Sequence, residues 1–425
     1  MKVAVIGAGW AGCAAAVEAT RLGQQVTVFE AARTAGGRAR RVDGRMPDGT
    51  ALALDNGQHI MIGAYSETLR LMDDVGIAAE ATLLRLPLTL QFPDGTGLHF
   101  PRLPAPLDAL AGIVRARGWS WRDKLSLLGA AVGWQLAGFR CAPGLSVAQL
   151  CRGLTPAVMA TLIEPLCVSA LNTPASRASA QVYLRVLRDA LFAESGGSNL
   201  LLPRKDLSAL LPDAALAWVE QHGGEVCLGR RVLALASTAA GWLVDDDPFD
   251  RVILACPPAE AARLAETCGL PCGTWLAAAR ALQFEAITTV YAFSAGACLA
   301  QPMLTLRAGA PEGEEPAQFV FDRGQLGGPA GLLAFVVSAS SVDSAALAQR
   351  VLAQAERQLG LNTLQAVQTI VEKRATFACL PGLERPPMQV LAGLLACGDY
   401  IDGPYPATLE GAVRSGLQAA RSATK

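Results

Sequence analysis

Three glycines near the N-terminus, Gly7, Gly9 and Gly12, are spaced as G-x-G-x-x-G between the apolar runs Val3–Ile6 and Val26–Phe29. That reads as strand, turn, helix, strand. Cβ atoms at the first two glycines would obstruct a tight turn or an approaching pyrophosphate. A helix beginning at Trp10 and Ala11 would offer that anion its free N–H groups and the positive end of its dipole. Glu30, 18 residues beyond Gly12, stands where a carboxylate accepts hydrogen bonds from ribose hydroxyls. The segment is expected to bind a dinucleotide. Lys2 and the small apolar residues after it resemble a secretory leader, but the patterned glycines and Glu18 speak for a folded N-terminal unit.

Further along, Gly36 and Gly37 precede Arg38, a pairing that lets backbone approach a phosphate while a guanidinium bridges its oxygens. Asp55, Asn56, Gly57, Gln58 and His59 then place polar groups inside an apolar, strand-like context. Near the C-terminus, Gly398 and Asp399 end an apolar strand, where Asp399 could accept from a ribityl hydroxyl. A helix opening at Thr408 and Leu409 would aim its positive pole at a bound ring, favouring an anionic reduced flavin. Gly411, Ser415 and Ala419 give this helix a face of small residues, suited to close packing.

The elements that must carry these residues alternate along the chain. Residues 86–199 read as mostly helical, broken by Pro101, Pro104, Pro106 and Pro143. A helix ending at Gly223-Gly224 leads into the strand-like "GGEVCLGRRV", and Phe249–Pro258 reads as a buried strand with a proline stop. Residues 281–293 and 332–340 look like strands of another sheet.

A chain of 425 residues builds more than one core, and this one is 52% hydrophobic with only 17% charged residues, against a usual share of about 25%. Such composition suits an apolar cavity, a membrane-touching surface, or both. A net charge of −1 gives no electrostatic basis for nucleic acid. Eleven scattered cysteines are expected to be reduced thiols in a cytoplasmic setting. Cys268 and Cys272 lack a second pair for zinc, and three histidines (His59, His99, His222) exclude a histidine-rich metal site. No G-x-S-x-G elbow supports a serine hydrolase. Ala286–Leu306 is uncharged but reads as strand and loop, not a span. Residues 125–139 are apolar and helical, preceded by Arg115, Arg117, Trp119, Trp121, Arg122 and Lys124. The segment 115–139 is either a monotopic membrane contact or a core helix with a solvated basic end.

Taken in order, these stations resemble the flavin amine-oxidase and phytoene-desaturase superfamily over nearly the whole chain. "DNGQHIMIGAY" and "GPYPATLEGAVRSGLQAA" resemble more specifically the hydroxysqualene dehydroxylases of bacterial hopanoid pathways. The resemblance implies an α/β fold: a Rossmann-like FAD/NAD(P)-binding domain of the glutathione-reductase type, discontinuous over 1–70, 200–265 and 388–425. An α+β substrate domain would comprise 71–199 and 266–387. It implies bound FAD, with the Val232 backbone at the adenine, and an apolar tunnel.

The implied chemistry is reductive loss of an allylic hydroxyl from hydroxysqualene, giving squalene. The hydroxyl must leave as water, which needs an acid, and the allylic cation is quenched by hydride. Asp402, His59 and Tyr405 are the candidate acids, because their segments should flank the flavin. A carboxyl in an apolar tunnel would keep its proton near neutrality. On the same scaffold, a desaturase or oxidase would run the hydride the other way, and a non-catalytic isoprenoid escort would bind no flavin. Glu30, Arg38 and Asp399 speak against the escort. Upstream squalene-pathway enzymes, and the inner face of the plasma membrane, are the expected surroundings.

Overall fold

The computed structural model describes residues 1–193, 196–310, 312–339 and 343–424. The chain opens with β1 (Lys2–Ile6), α1 (Trp10–Arg21) and β2 (Gln25–Glu30). It leaves for a helical region that includes α2 (Trp121–Leu136) and α3 (Ala180–Arg188). It returns as β3 (Glu225–Leu228) and β4 (Arg251–Leu254). A second excursion forms β5 (Phe284–Phe293), β6 (Met303–Thr305), β7 (Phe319–Asp322), β8 (Leu332–Ser338) and β9 (Gln365–Phe377). The last elements are β10 (Gln389–Leu391), β11 (Leu394–Ala396) and α4 (Leu409–Ala423).

The first sheet runs β3-β2-β1-β4-β11-β10, parallel except for its β10 edge. Its central strands are near-continuous apolar runs because both faces are covered. On one face α1 and α4 pack against each other, and both touch the sheet. Only small residues allow that spacing: a Cβ at Gly416 would stand 2.1 Å from the Ala11 carbonyl oxygen. Arg421 clamps the same helix pair through Glu18 at 2.6 Å.

The second sheet is antiparallel, in the order β6-β7-β8-β5-β9. The amphipathic helix Ser344–Leu359, capped by Asp343, packs Leu347 and Val351 into the core that also holds Val290 and Phe335. Together with the helices between 107 and 188, this sheet roofs the C-terminal edge of the first.

Ser120 caps α2, and Asp123 completes a capping box by accepting from the Ser120 backbone at 2.8 Å. The helix therefore begins at Trp121, and the turn before it separates the two tryptophans. Trp121 is 66% exposed, whereas Trp119 is buried with its indole N–H on Thr161 Oγ1 at 2.9 Å. Trp119 is thus removed from the expected membrane-contact segment. Its side chain is core, with its one polar atom satisfied. Among the described residues no helix is long and apolar enough to cross a membrane.

Candidate active site

A cavity of about 940 Å³ runs from the turn between β1 and α1, across the ends of the parallel strands, to the helical roof. Its polar end is built from the glycine turn. Gly7 has φ +113°, and a Cβ there would stand 2.7 Å from the Ala255 carbonyl oxygen. Gly9 and Gly37 face one another, and a Cβ on Gly9 would meet only Gly37 Cα within 4 Å. Both line the cavity with Trp10 and Ala11 at the first turn of α1. Gly12 does not line it. Its Cβ would lie 1.9 Å from the Gly7 carbonyl oxygen, so its part is to let the helix close on the turn.

Glu30 also lines the cavity, and its carboxylate already organises the turn. One oxygen accepts from Ala8 N at 2.8 Å and the other from Ala32 N at 2.8 Å, leaving further lone pairs for hydroxyl donors. Val232 lines the same end, its carbonyl occupied by Arg263 at 3.0 Å. Arg38 bonds the Ala375 carbonyl at 3.0 Å and pairs with the Asp399 carboxylate. Burial works against the Arg38 charge, but Asp399 more than compensates and holds its pKa above the ordinary value.

The polar loop after Asp55 is fixed from behind. Tyr291 donates to the Asp55 carbonyl at 2.8 Å and accepts from Gln58 at 2.7 Å, while Arg323 reaches Gln58 at 3.2 Å and Asp55 at 3.8 Å. Burial pushes the Asp55 carboxyl up to about 6, against the pull of Arg323. Gly57, Gln58 and His59 are thereby presented to the cavity. Nothing local in the chain marks Tyr291 and Arg323 for this part, since they come from the second sheet.

Of the three candidate acids, two sit in the cavity wall and one does not. Asp402 lies outside it, its side chain 74% exposed and paired with Arg385 at 3.2 Å. The apolar burial on which its candidacy rested is absent. His59 lines the cavity, and desolvation lowers its pKa to about 4, so the imidazole is neutral at neutral pH.

Tyr405 and Asp189 both line the cavity, with the Arg185 and Arg414 guanidiniums 6.0 and 4.9 Å from the Tyr405 ring centre. Desolvation first, then Asp189, pushes the Tyr405 pKa up to about 12. Asp189 begins the π-helical turn Asp189–Ala193 that follows α3. Burial acts to raise its pKa, but bonds from Arg185, Arg188 and Tyr405 outweigh it and hold the group below the usual carboxylate value. In the sequence it looks like an ordinary helix-end partner for Arg185 and Arg188. Thr408 caps α4, accepting from Gly411 N at 3.0 Å, and lines the cavity beside Leu409 and Gly398.

Beyond these groups the wall is hydrocarbon: Leu90, Ile113, Leu127, Trp134, Leu162 and Leu187 continue the cavity between the roof helices.

A family model described as flavin containing amine oxidoreductase matches residues 10–424. The chain belongs to that family. It is a flavin-dependent oxidoreductase with FAD as cofactor, and the glycine turn, the Glu30 carboxylate and the first-turn N–H groups of α1 suit that dinucleotide. The resemblance to hydroxysqualene dehydroxylases spans nearly the full length. The enzyme of that name from Rhodopseudomonas palustris is 29% identical over 98% of this chain and 97% of its own, and that from Sinorhizobium fredii 28% over 99% and 97%. A zeta-carotene desaturase from Capsicum annuum is 38% identical, but over 29% of this chain and 21% of its own. Among solved structures, an oxidoreductase from Methanosarcina mazei superposes with TM-score 0.74 at 17% identity, covering 99% of this chain and all of that one. That likeness speaks for the fold.

Proposed function

We propose that this family member is a hydroxysqualene dehydroxylase, converting an allylic isoprenoid alcohol to the hydrocarbon. The observation carrying this reading is one cavity that joins a dinucleotide end to a hydrocarbon-lined end, with a phenol–carboxylate pair on its wall. The full-length similarity to the named dehydroxylases supports it. In the cofactor end, Gly9, Trp10 and Ala11 would hold the pyrophosphate and Glu30 the ribose. Val232 would meet the adenine, Arg38 and Asp399 the linking chain, and Gly57, Gln58, Gly398, Thr408 and Leu409 the flavin ring. FAD supplies, when bound and reduced, the hydride that replaces the lost hydroxyl.

Tyr405 is the acid. Its proton goes to the leaving hydroxyl, the C–O bond breaks with both electrons on oxygen, and water departs. Asp189 orients the phenol and opposes the positive charge forming on the allyl group, while Arg185 and Arg414 offset the phenolate. The hydrocarbon wall keeps bulk water from capturing the cation.

The test is anaerobic mixing of the reduced holoenzyme with hydroxysqualene. One squalene should form for each flavin oxidised. Desaturation of squalene or a carotenoid precursor with flavin reduction, and no dehydroxylation, would replace this reading with the desaturase one.

A further inference from the structure

Eight of the large apolar side chains that the described residues leave exposed lie within 103–136: Leu103, Leu107, Leu110, Val114, Trp121, Leu125, Val132 and Leu136. The other six are scattered from Met1 to Val371. Single exposed apolar residues need no explanation, but seven on two neighbouring helices, Leu107–Arg115 and α2, with Leu103 just before the first, do. Both helices are apolar on opposite sides. Ala109, Ile113, Leu127, Ala131 and Trp134 line the cavity, whereas Leu110, Leu125 and the 84% exposed Leu136 face outward. One layer of helix thus separates the hydrocarbon end of the cavity from the outside.

The charges beside this face have one sign. Residues 101–140 carry Arg102, Arg115, Arg117, Arg122, Lys124 and Arg140, and none of these makes a salt bridge among the described residues. The only acids in the stretch, Asp108 and Asp123, are buried. A chain with a net charge of −1 has gathered unpaired cations around its apolar patch. Lys124 lies 5.1 Å from the Trp121 ring centre and donates to the Val114 carbonyl at 2.7 Å, setting indole and ammonium at one level. That is the arrangement of a membrane interface.

We propose that the outward faces of helix Leu107–Arg115 and α2 dock into the surface of a lipid leaflet carrying anionic head groups, bringing the hydrocarbon end of the cavity against it. A second copy of the chain is the weaker occupant. A two-fold contact through this patch would set the basic rim against its own image. The docking stands on the surface alone; the further reading, that substrate passes from leaflet to cavity between these helices, rests on the function proposed above. A chain-like isoprenoid already lies in hydrocarbon within the bilayer, so its transfer is limited by access and not by hydrophobic drive.

Flotation of the FAD-loaded protein with vesicles of phosphatidylcholine plus phosphatidylglycerol, against phosphatidylcholine alone, reads the docking directly. The parent should float with the anionic vesicles, less so at high salt, where only the basic component is screened. Trp121→Ser/Leu125→Ser/Leu136→Ser should lower the bound fraction by about tenfold or more, with FAD content and turnover of detergent-dispersed hydroxysqualene unchanged. Arg115→Gln/Arg122→Gln/Lys124→Gln should lose the preference for phosphatidylglycerol. A parent that floats with neither vesicle overturns the proposal. So does an apolar triple variant that floats like the parent, or one that only converts a dimer to a monomer. A parent that floats but dehydroxylates nothing in detergent supports the docking and removes the reaction reading instead.

Discussion

Tyr405 and Asp189 line the same cavity, one from the loop before α4 and the other from the π-helical turn after α3, and the Asp189 charge holds the phenol pKa up. Residues 216 positions apart in sequence are thereby electrostatically coupled, and they are the acid–base pair of the proposed reaction. Tyr405→Phe should slow the chemical step by about 10²–10⁴-fold with little effect on substrate binding, as read by anaerobic single turnover. Unchanged rates would remove Tyr405 from the reaction.

Asp189→Asn tests the second member through pH. Asp189 helps to hold the Tyr405 pKa up near 12, so removing its charge lets the phenol ionise at lower pH. The basic limb of the single-turnover rate profile should move to lower pH, and Asp189→Glu should move it back. An unshifted limb with a merely lower rate would leave Asp189 a structural role only.

Glu30→Ala should release FAD. The substitution removes the ribose acceptor and also the partners of Ala8 N and Ala32 N. A loss of about 1–3 kcal/mol for hydrogen bonds to a charged group corresponds to roughly ten- to a hundredfold weaker retention. FAD per chain after gel filtration measures it. In the parent, acid precipitation should free the flavin from the protein.

Gly416→Ala should loosen the seat of α4. Its Cβ meets backbone, the Ala11 carbonyl at 2.1 Å, so no side-chain rotation relieves the contact. Thermal unfolding of the FAD-free protein should show a loss of about 1–3 kcal/mol or more. An unchanged midpoint would mean that α1 and α4 are not held as closely as described.

Two groups in the loop at 55–59 should give opposite stability slopes in one pH window. Asp55 is raised to about 6 in the folded protein, so between about pH 4 and 6 the folded state binds more protons and stability from this group falls as pH rises. His59 is lowered to about 4, so the unfolded state binds more protons between about pH 4 and 6.5 and its contribution rises with pH. Asp55→Asn should gain on the parent by on the order of 3 kcal/mol across that window, whereas His59→Gln should lose the rising component. Denaturant midpoints at pH 4 and pH 7 decide both signs.

Local pattern carried much of this architecture. The strand–turn–helix–strand around Gly7–Glu30, the buried strand before Pro257 and the helix capped by Thr408 each follow from residues close in sequence. What remained hidden was long-range. Tyr291 and Arg323 look like ordinary strand residues until the second sheet carries them behind Gln58. Asp189 is disguised by its neighbours Arg185 and Arg188, since an i,i+4 pair on a helix surface is the common case. Asp402 and Tyr405 share one irregular segment, yet the loop turns Tyr405 into the cavity and Asp402 out to solvent. The capping turn at Ser120 likewise sends the indoles of Trp119 and Trp121 to opposite destinations, one into the core and one to the surface.

The packing of α1 against α4 has a consequence for biosynthesis. The cavity is walled by residues as far apart as Gly9 and Ala412, and the first helix packs directly against the last. A chain emerging from the ribosome therefore carries its glycine turn from the outset but lacks the floor of the site until nearly everything has been translated. Completion of the cofactor site is in this sense a post-translational event.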